Sequence, residues 1–281
     1  MSKMKIGFIG AGKVGSAFGR YLKENGLDIA GFYSRSIESS QSAAEFTGSK
    51  AMDIEELVND CNYIFITTPD GVISEVWERI KKYDLKGKNI FHMSGCLGSD
   101  IFQGAKHLDA DTYSLHPLFP FTDRNCFTFL NEVVFSVEGE NIDKIKYFLN
   151  AAKLKYFVID NKNKAKYHAA AVFASNYIVS IAKIAKEILL DCGMDEKYIV
   201  DAIYPLMKGA VSNIREKGIE GALTGPILRR DAGTIKLHLD NLDDFEHIYR
   251  LLGLAAVEIE KGKIEYKDEK LEAIENLLRG E

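Results

Sequence analysis

Acid–base chemistry on a small molecule needs a group that titrates near neutral pH and a polar partner to orient it, and three segments of this chain supply such residues. In the first, Ser94-Gly95 and His116-Pro117 each follow directly on an apolar run that reads as a strand. Histidine exchanges protons near neutrality, so His116 is a candidate donor and Ser94 a candidate orienting group. A histidine simply packed in the apolar turn Leu115-His116-Pro117-Leu118-Phe119 is the alternative. The second segment holds Tyr167-His168 and Ser175-Asn176. On one continuous helix His168 and Asn176 differ by about 80° in azimuth and lie roughly 12 Å apart along the axis. They would share a cleft, not one small group of atoms. The Asn176 amide, set in an apolar helix, must find hydrogen bonds, either from a substrate carbonyl or carboxamide or from a neighbouring helix. In the third segment a Gly225-Pro226 break delivers Arg229, Arg230 and Asp231 together. Arg229 there suits a substrate carboxylate, and an Arg–Asp pair holding two helices in register is the alternative. No metal is expected, because the six histidines show neither an i, i+4 pair nor an H-E-x-x-H arrangement.

The clearest element able to position these groups opens the chain. Lys5-Ile6-Gly7-Phe8-Ile9 is an apolar strand that runs into Gly10-Ala11-Gly12-Lys13-Val14-Gly15 and on into an amphipathic helix. Strand, G-x-G-x-x-G turn and helix form the context in which this motif binds a dinucleotide. Gly10 allows the tight turn, Gly12 lets a pyrophosphate approach the backbone, and Gly15 lets the helix pack closely on the strand. Backbone N–H groups around Ala11, Lys13 and Val14, at the positive end of the helix, favour the phosphates. An NAD site would place an acid at the end of the second strand, Asp28–Tyr33, for the ribose hydroxyls. The chain instead reads Ser34-Arg35-Ser36, a cation between two hydroxyls, which suits a 2′-phosphate and therefore NADP(H). Asp28 begins that strand, at the wrong end of the sheet. Thr68-Pro69, after the next long strand, are expected to border the cofactor.

With 281 residues, 46% of them hydrophobic, the chain is long enough for a large core and two domains. A formal net charge of -5 without a dense basic tract argues against a nucleic-acid surface. Cys61, Cys96, Cys126 and Cys192 lack a C-x-x-C spacing, which points away from zinc and disulfides and toward reduced thiols in the cytoplasm. Glycines interrupt the apolar start at once, unlike a secretion signal, and no segment is expected to be long enough to span a bilayer.

Helices are expected over 36–46, over 53–59 with Asp53 as cap, over 72–83 and over 142–152. Strands are expected at 63–67, 89–93, 112–115, 133–137 and 156–159. This alternation implies an α/β fold, a doubly wound Rossmann sheet with helices on both faces. From Asn161 only helical patterns follow, so 1–160 reads as an NADP-binding domain and 161–281 as a helical substrate and dimerisation domain. Residues 165–190 read as one helix, apolar enough to be buried among others.

The motifs Gly10 to Gly15, Thr67-Thr68-Pro69-Asp70, Ser94-Gly95, Ser114-Leu115-His116-Pro117, Tyr167-His168-Ala169-Ala170-Ala171, Ser175-Asn176 and Leu223-Thr224-Gly225-Pro226 resemble a known family. It comprises Rossmann-like proteins with a C-terminal helical domain of formerly unassigned function (DUF2520), including the alternative, PanG-type ketopantoate reductases. The resemblance covers most of the chain and implies NADP(H) binding, a 6-phosphogluconate-dehydrogenase-like C-terminal half and a homodimer. Two departures stand out. The family often has Arg-Gly-Asp after its Gly-Pro break, where this chain has Arg230 in place of the glycine. Related β-hydroxyacid dehydrogenases carry a lysine four residues before the helix asparagine, where Val172 stands, so a histidine must replace the lysine acid. His116-Pro117-Leu118-Phe119 is also similar to the His-Pro-Met-Phe segment of prephenate and arogenate dehydrogenases.

The resulting expectation is an NADPH-dependent reductase of a small carbonyl acid, ketopantoate being the most specific choice. His116 or His168 would protonate the oxygen, Ser94 orient the donor, Asn176 position the carbonyl and Arg229 hold the carboxylate. A prephenate- or arogenate-type dehydrogenase and a non-catalytic NADP(H) sensor are the rivals. Neither nucleic acid nor membrane is expected as a partner.

Overall fold

A computed structural model describes residues 4–263 and 266–281. The chain divides into two compact units, Met1–Ser175 and Asn176–Glu281.

The first unit is built on eight strands: β1 (Lys5–Ile9), β2 (Asp28–Tyr33), β3 (Lys50–Ala51), β4 (Tyr63–Ile66), β5 (Asn89–His92), β6 (Asp111–Pro117), β7 (Val134–Gly139) and β8 (Lys155–Val158). They form one sheet in the order β3-β2-β1-β4-β5-β6-β7-β8. All neighbours are parallel except β6 and β7, which are antiparallel. Helices α1 (Lys13–Glu24), α2 (Ile37–Thr47), α3 (Ile54–Asp60), α4 (Asp70–Ile80) and α5 (Ile142–Ala151) connect the strands, and α6 (Lys164–Ala174) ends the unit. The expected mixed α/β architecture with a Rossmann-like sheet is present. Two differences concern strands. The short β3 carries too little pattern to be seen in sequence. β6 runs on through His116 and Pro117, because its antiparallel partner β7 extends the ladder, pairing His116 with Ser136.

Register aligns an aromatic row on one face of the sheet. Phe8 stacks on Phe32 and Phe65, with ring centroids 4.8 and 5.4 Å apart. Phe65 stacks on Phe91 at 4.4 Å, and Phe91 on Tyr113 at 5.0 Å. Each stacked pair is also a register pair between neighbouring strands. Direct cross-strand aromatic pairs stabilise a sheet and pin its register, since a one-residue slip would send every ring to the opposite face. Phe18 of α1 and Phe148 of α5 close over Phe65. On the opposite face Trp77, Ile64, Ile66 and Ile90 belong to a second buried cluster under α3 and α4.

The second unit contains α7 (Asn176–Asp191), α8 (Glu196–Ala222), α9 (Ala232–Leu239), α10 (Glu246–Lys261) and α11 (Glu269–Arg279). Ile235, Leu239, Val257, Leu271, Ile274 and Leu278 form its core. α8 bends at Gly218, whose φ of 74° interrupts the helix. Three expectations about the helical region change. The run 165–190 is not one helix, because Ser175 takes φ -132° and ψ -69° while its hydroxyl donates to the Ala171 carbonyl at 2.8 Å. That back-bond from serine to the carbonyl four residues earlier competes with regular helix geometry. Nor is the run buried: α7 has no buried residue, and Val179 is 70% exposed. By length and composition alone, 161–191 is also long and apolar enough to cross a bilayer, with a mean hydropathy of 1.2 over its most apolar window, contrary to the expectation that no segment is. The Ser175 break and the charges of Lys183, Lys186 and Glu187 fall inside that run.

Phe65 touches rings on both neighbouring strands and on two helices, so Phe65→Ala is expected to destabilise the protein by about 3–5 kcal/mol. Urea unfolding followed by circular dichroism reads this, and a loss below about 1 kcal/mol would mean that the aromatic row does not hold the sheet.

Candidate functional site

The glycine turn is shaped by β4 beneath it. Gly10 has φ 116°, and a Cβ there would lie 2.8 Å from the Thr67 carbonyl carbon. A Cβ on Gly15 would lie 2.4 Å from Thr67 Oγ1, which itself donates to the Gly10 carbonyl at 2.9 Å. Both positions therefore exclude side chains. Gly12 differs, since a Cβ there meets nothing within 4 Å. It opens α1 without any side-chain cap, leaving the positive end of the helix facing open space. Thr68 Oγ1 is buried with no hydrogen-bond partner among the described residues. An open glycine, an uncapped helix start and an orphaned hydroxyl are what a dinucleotide pyrophosphate would complete.

Ser34 and Arg35 continue from this turn into a cavity of about 260 Å³ lined also by Gly10, Ala11, Gly12, Thr68 and Pro69. Lys13 is exposed at the first position of α1, with Val14 half-buried behind it. Ser36 has a local task, because its hydroxyl caps α2 by accepting from Ser39 N and donates to Glu38. The same cavity contains a cation that sequence reading missed, Arg79 near the end of α4. Its guanidinium donates to the Tyr33 hydroxyl at 2.9 Å and lies 5.4 Å from the centre of that ring. Tyr33 thus holds Arg79 in the wall of the cavity that Arg35 also lines, although the two arginines are far apart in the chain.

Beyond the carboxyl end of β5 a second polar centre is assembled from β5, β6 and α6. A Cβ on Gly95 would lie 2.5 Å from His168 Nδ1 and 2.9 Å from His116 Nε2, so both imidazoles converge on this glycine. Their ring centres are 6.0 Å apart. His116 Nδ1 is 2.8 Å from the Tyr167 hydroxyl, while His168 Nδ1 is buried with no partner among the described residues. Among the described residues Ser94 hydrogen-bonds neither of these two rings. Its hydroxyl donates to Asp70 at 2.7 Å and accepts from the N–H groups of Cys96 and Leu97, which shapes the turn that carries Gly95.

Beneath the imidazoles lies Lys164, 1% exposed, which sequence reading did not select. Its ammonium donates to Ser114 Oγ at 2.5 Å and to the Ser94 carbonyl at 3.1 Å. A lysine is therefore present after all, eight residues before the position at which related dehydrogenases suggested one and on the opposite side of His168. Burial pulls Lys164 down to about 8. Burial first, then the charges of Lys164 and His168, pulls His116 down to about 3, so it is neutral at physiological pH. His92 supports the same turn: Ser94 N donates to its Nδ1 at 3.2 Å, so Nε2 carries the proton and donates to the Gly98 carbonyl at 3.0 Å.

The structure thus brings Ser94, His116 and His168 together. Asn176 and Arg229 belong to the second unit, Asn176 as the first residue of α7 and Arg229 as an exposed residue before α9. Arg230, not Arg229, makes the ion pairs there, with Glu260 and Asp268 at 2.9 and 2.8 Å. It does so at φ 59°, the left-handed conformation natural to the glycine it replaces. Asp231 caps α9 by accepting from Thr234 N. Among the described residues no group of three or more His, Cys, Asp or Glu could hold a metal.

Arg79→Ala and Arg35→Ala are each expected to weaken NADPH binding about 10- to 100-fold while changing NADH binding little, as loss of a charge-assisted contact to one phosphate requires. Fluorescence titration of both dinucleotides measures this. Equal losses for the two would exclude a 2′-phosphate role.

Comparisons with known proteins bear on the fold and the cofactor. Residues 5–93 match the family model "NADP oxidoreductase coenzyme F420-dependent", and residues 133–256 match a domain of unknown function, DUF2520. Protein TM1727 of Thermotoga maritima is 29% identical, with a TM-score of 0.66 over 98% of this chain and 97% of that one. A Bacteroides fragilis protein described as an NADP oxidoreductase, 22% identical, gives a TM-score of 0.68 over 92% of this chain and 98% of its own. Pyrroline carboxylate reductase of Plasmodium falciparum, solved with NADP bound, is 17% identical and shares the fold at a TM-score of 0.56, over 100% of this chain and 97% of that one. A search of curated proteins returns no significant match. The cradle around Gly12 and Thr68 fits a dinucleotide, and the chain joins a segment that matches an NADP oxidoreductase model to one that matches DUF2520.

Proposed function

We propose that the protein uses NADPH to reduce the carbonyl group of a small carbonyl acid, with ketopantoate (2-dehydropantoate) as the substrate of choice. The observation that carries this reading is the convergence of His116 Nε2 and His168 Nδ1 on Gly95, outside the carboxyl end of β5, where ligands of open α/β sheets bind. NADPH, when bound, supplies the hydride. In this reading the Tyr167 hydroxyl, 2.8 Å from Nδ1 of His116, donates to it, which puts the ring proton on Nε2, the nitrogen nearer Gly95. A neutral imidazole placed in this way donates a hydrogen bond to a carbonyl oxygen and polarises it without carrying a charge of its own. His168, with an uncommitted nitrogen beside it, is the second group able to hold that oxygen or its proton. By their chemistry alone, Asn176 suits hydrogen bonding to a carbonyl and Arg229 suits pairing with a carboxylate.

We further propose a homodimer that covers α7 and α8. Val179 and Leu206 are 70% and 74% exposed there, and Tyr198, Val200 and Tyr204 are exposed as well. An apolar surface of this extent calls for a partner, and a second copy is the one this reading selects. Exposed, free Cys96 and Cys192 fit a reducing cytoplasm.

Purified protein is expected to oxidise NADPH with ketopantoate faster than with other 2-oxo acids or a cyclic imine, and to leave prephenate and arogenate unoxidised with NADP+. His116→Asn should lower kcat about 10²- to 10⁴-fold with NADPH affinity unchanged. Tight NADPH binding with no turnover on this panel would favour the sensor reading. Light scattering at micromolar concentration is expected to give twice the 31.4 kDa chain mass. A monomer would remove the dimer.

A further inference from the structure

We infer that Lys164 is a positioning residue for the carbonyl reduction proposed above, fixing the Gly95 turn beneath the two histidines and presenting a positive charge to the oxygen that they hold. The inference rests on that proposed reaction and on a two-layer arrangement produced by two different periodicities. Ser114 and His116 are two residues apart on β6 and share a face, while Lys164 and His168 are one helical turn apart on α6. The upper layer, His116 and His168, meets Gly95. The lower layer, Ser114 and Lys164, meets the carbonyl of Ser94, the residue before it. One ammonium group therefore ties the β5 turn, β6 and α6 together directly under the candidate reaction centre.

The charge is unusual in its setting. Among the described residues Lys164 makes no ion pair within 4 Å, although Glu138, Asp70 and Cys96 all act on it. Glu138 is instead taken by Ser99, whose N–H and hydroxyl donate to its two oxygens at 2.6 and 2.9 Å, and Asp70 is taken by Ser94. His92 from β5 and His116 from β6, both lowered chiefly by burial, are lowered further by the ammonium charge. A buried ammonium without a direct counter-ion is costly, and a methionine or leucine would fill the space without that cost. Reduction of a ketone places negative charge on oxygen in the transition state, and a fixed cation nearby stabilises it without rearrangement. Since burial brings Lys164 to about 8, the charge is present at neutral pH and is lost as pH rises through that value.

The test compares wild type with Lys164→Met, which keeps the chain length and removes the charge. In wild type, kcat should fall as pH rises through about 8, and the imidazole nitrogen shifts of His116 should step near the same pH in an NMR titration. In Lys164→Met, kcat at pH 7 should be about 10- to 100-fold lower, with KM and NADPH affinity within about twofold, and both pH steps should be absent. Cys96→Ser serves as control, because Cys96 also acts on Lys164, and it should leave both steps in place. If Lys164→Met does not fold, Ser114→Ala removes one acceptor but keeps the charge, and should move both steps to lower pH. Persistence of the steps in Lys164→Met, or their failure to move in Ser114→Ala, overturns the inference. If wild type turns over no carbonyl substrate, the proposed reaction fails, while the NMR step still judges whether Lys164 acts on His116.

Discussion

The candidate centre is held together by the hydrogen bonds that the Lys164 ammonium donates to the Ser94 carbonyl and the Ser114 hydroxyl. Lys164 is 70 residues from one partner and 50 from the other, so these contacts exist only once the sheet has formed and α6 has docked on it. A glycine that accommodates two imidazole rings is useful only if its backbone stays where it is. Three further bonds around the Ser94 hydroxyl, and the His92 ring bridging Ser94 N and the Gly98 carbonyl, serve that end. The turn after β5 is a braced structure rather than a free loop, as pre-organised chemistry requires.

The sheet provides a second level of order. Because Phe8, Phe32, Phe65, Phe91 and Tyr113 lock neighbouring strands in register, the carboxyl ends of β1, β4, β5 and β6 come to fixed positions beside one another. Gly10, Thr68 and Gly95 follow three of those ends, and His116 lies near the fourth. Cofactor cradle and histidine pair are thereby spaced by strand pairing, and the buried rings below resist any shift of one strand against its neighbour.

Features written in a short stretch of chain were legible in the sequence. The Gly10 to Gly15 turn and the Ser34-Arg35 pair can be read because their meaning depends on flanks a few residues away, and His116 and His168 because histidine is rare in apolar surroundings. Features made by tertiary proximity were not. Lys164 sits in a run with Lys162 and Lys166 and reads as one more solvated cation; only packing against β5 and β6 buries it. Arg79 reads as an ordinary cation in the last turn of α4 until Tyr33 is found beside it. The break at Ser175 is hidden in sequence because serine is tolerated within helices, and only its bond back to Ala171 shows the interruption. The exposed faces of α7 and α8 illustrate a limit of composition: an apolar helix states that it will be covered, not by which molecule.

Arg230 carries a consequence for the far end of the chain. A non-glycine residue in the left-handed region costs roughly 1–2 kcal/mol, and here the cost is met by a guanidinium fork whose prongs rest on Glu260 of α10 and on Asp268, the cap of α11. The terminal helix therefore acts as a buttress for a turn 38 residues upstream of its cap. Trimming or fusing at the C-terminus would be felt at Leu228 to Asp231, and a chain cut short before Asp268 would leave that bend to hold an awkward backbone by itself.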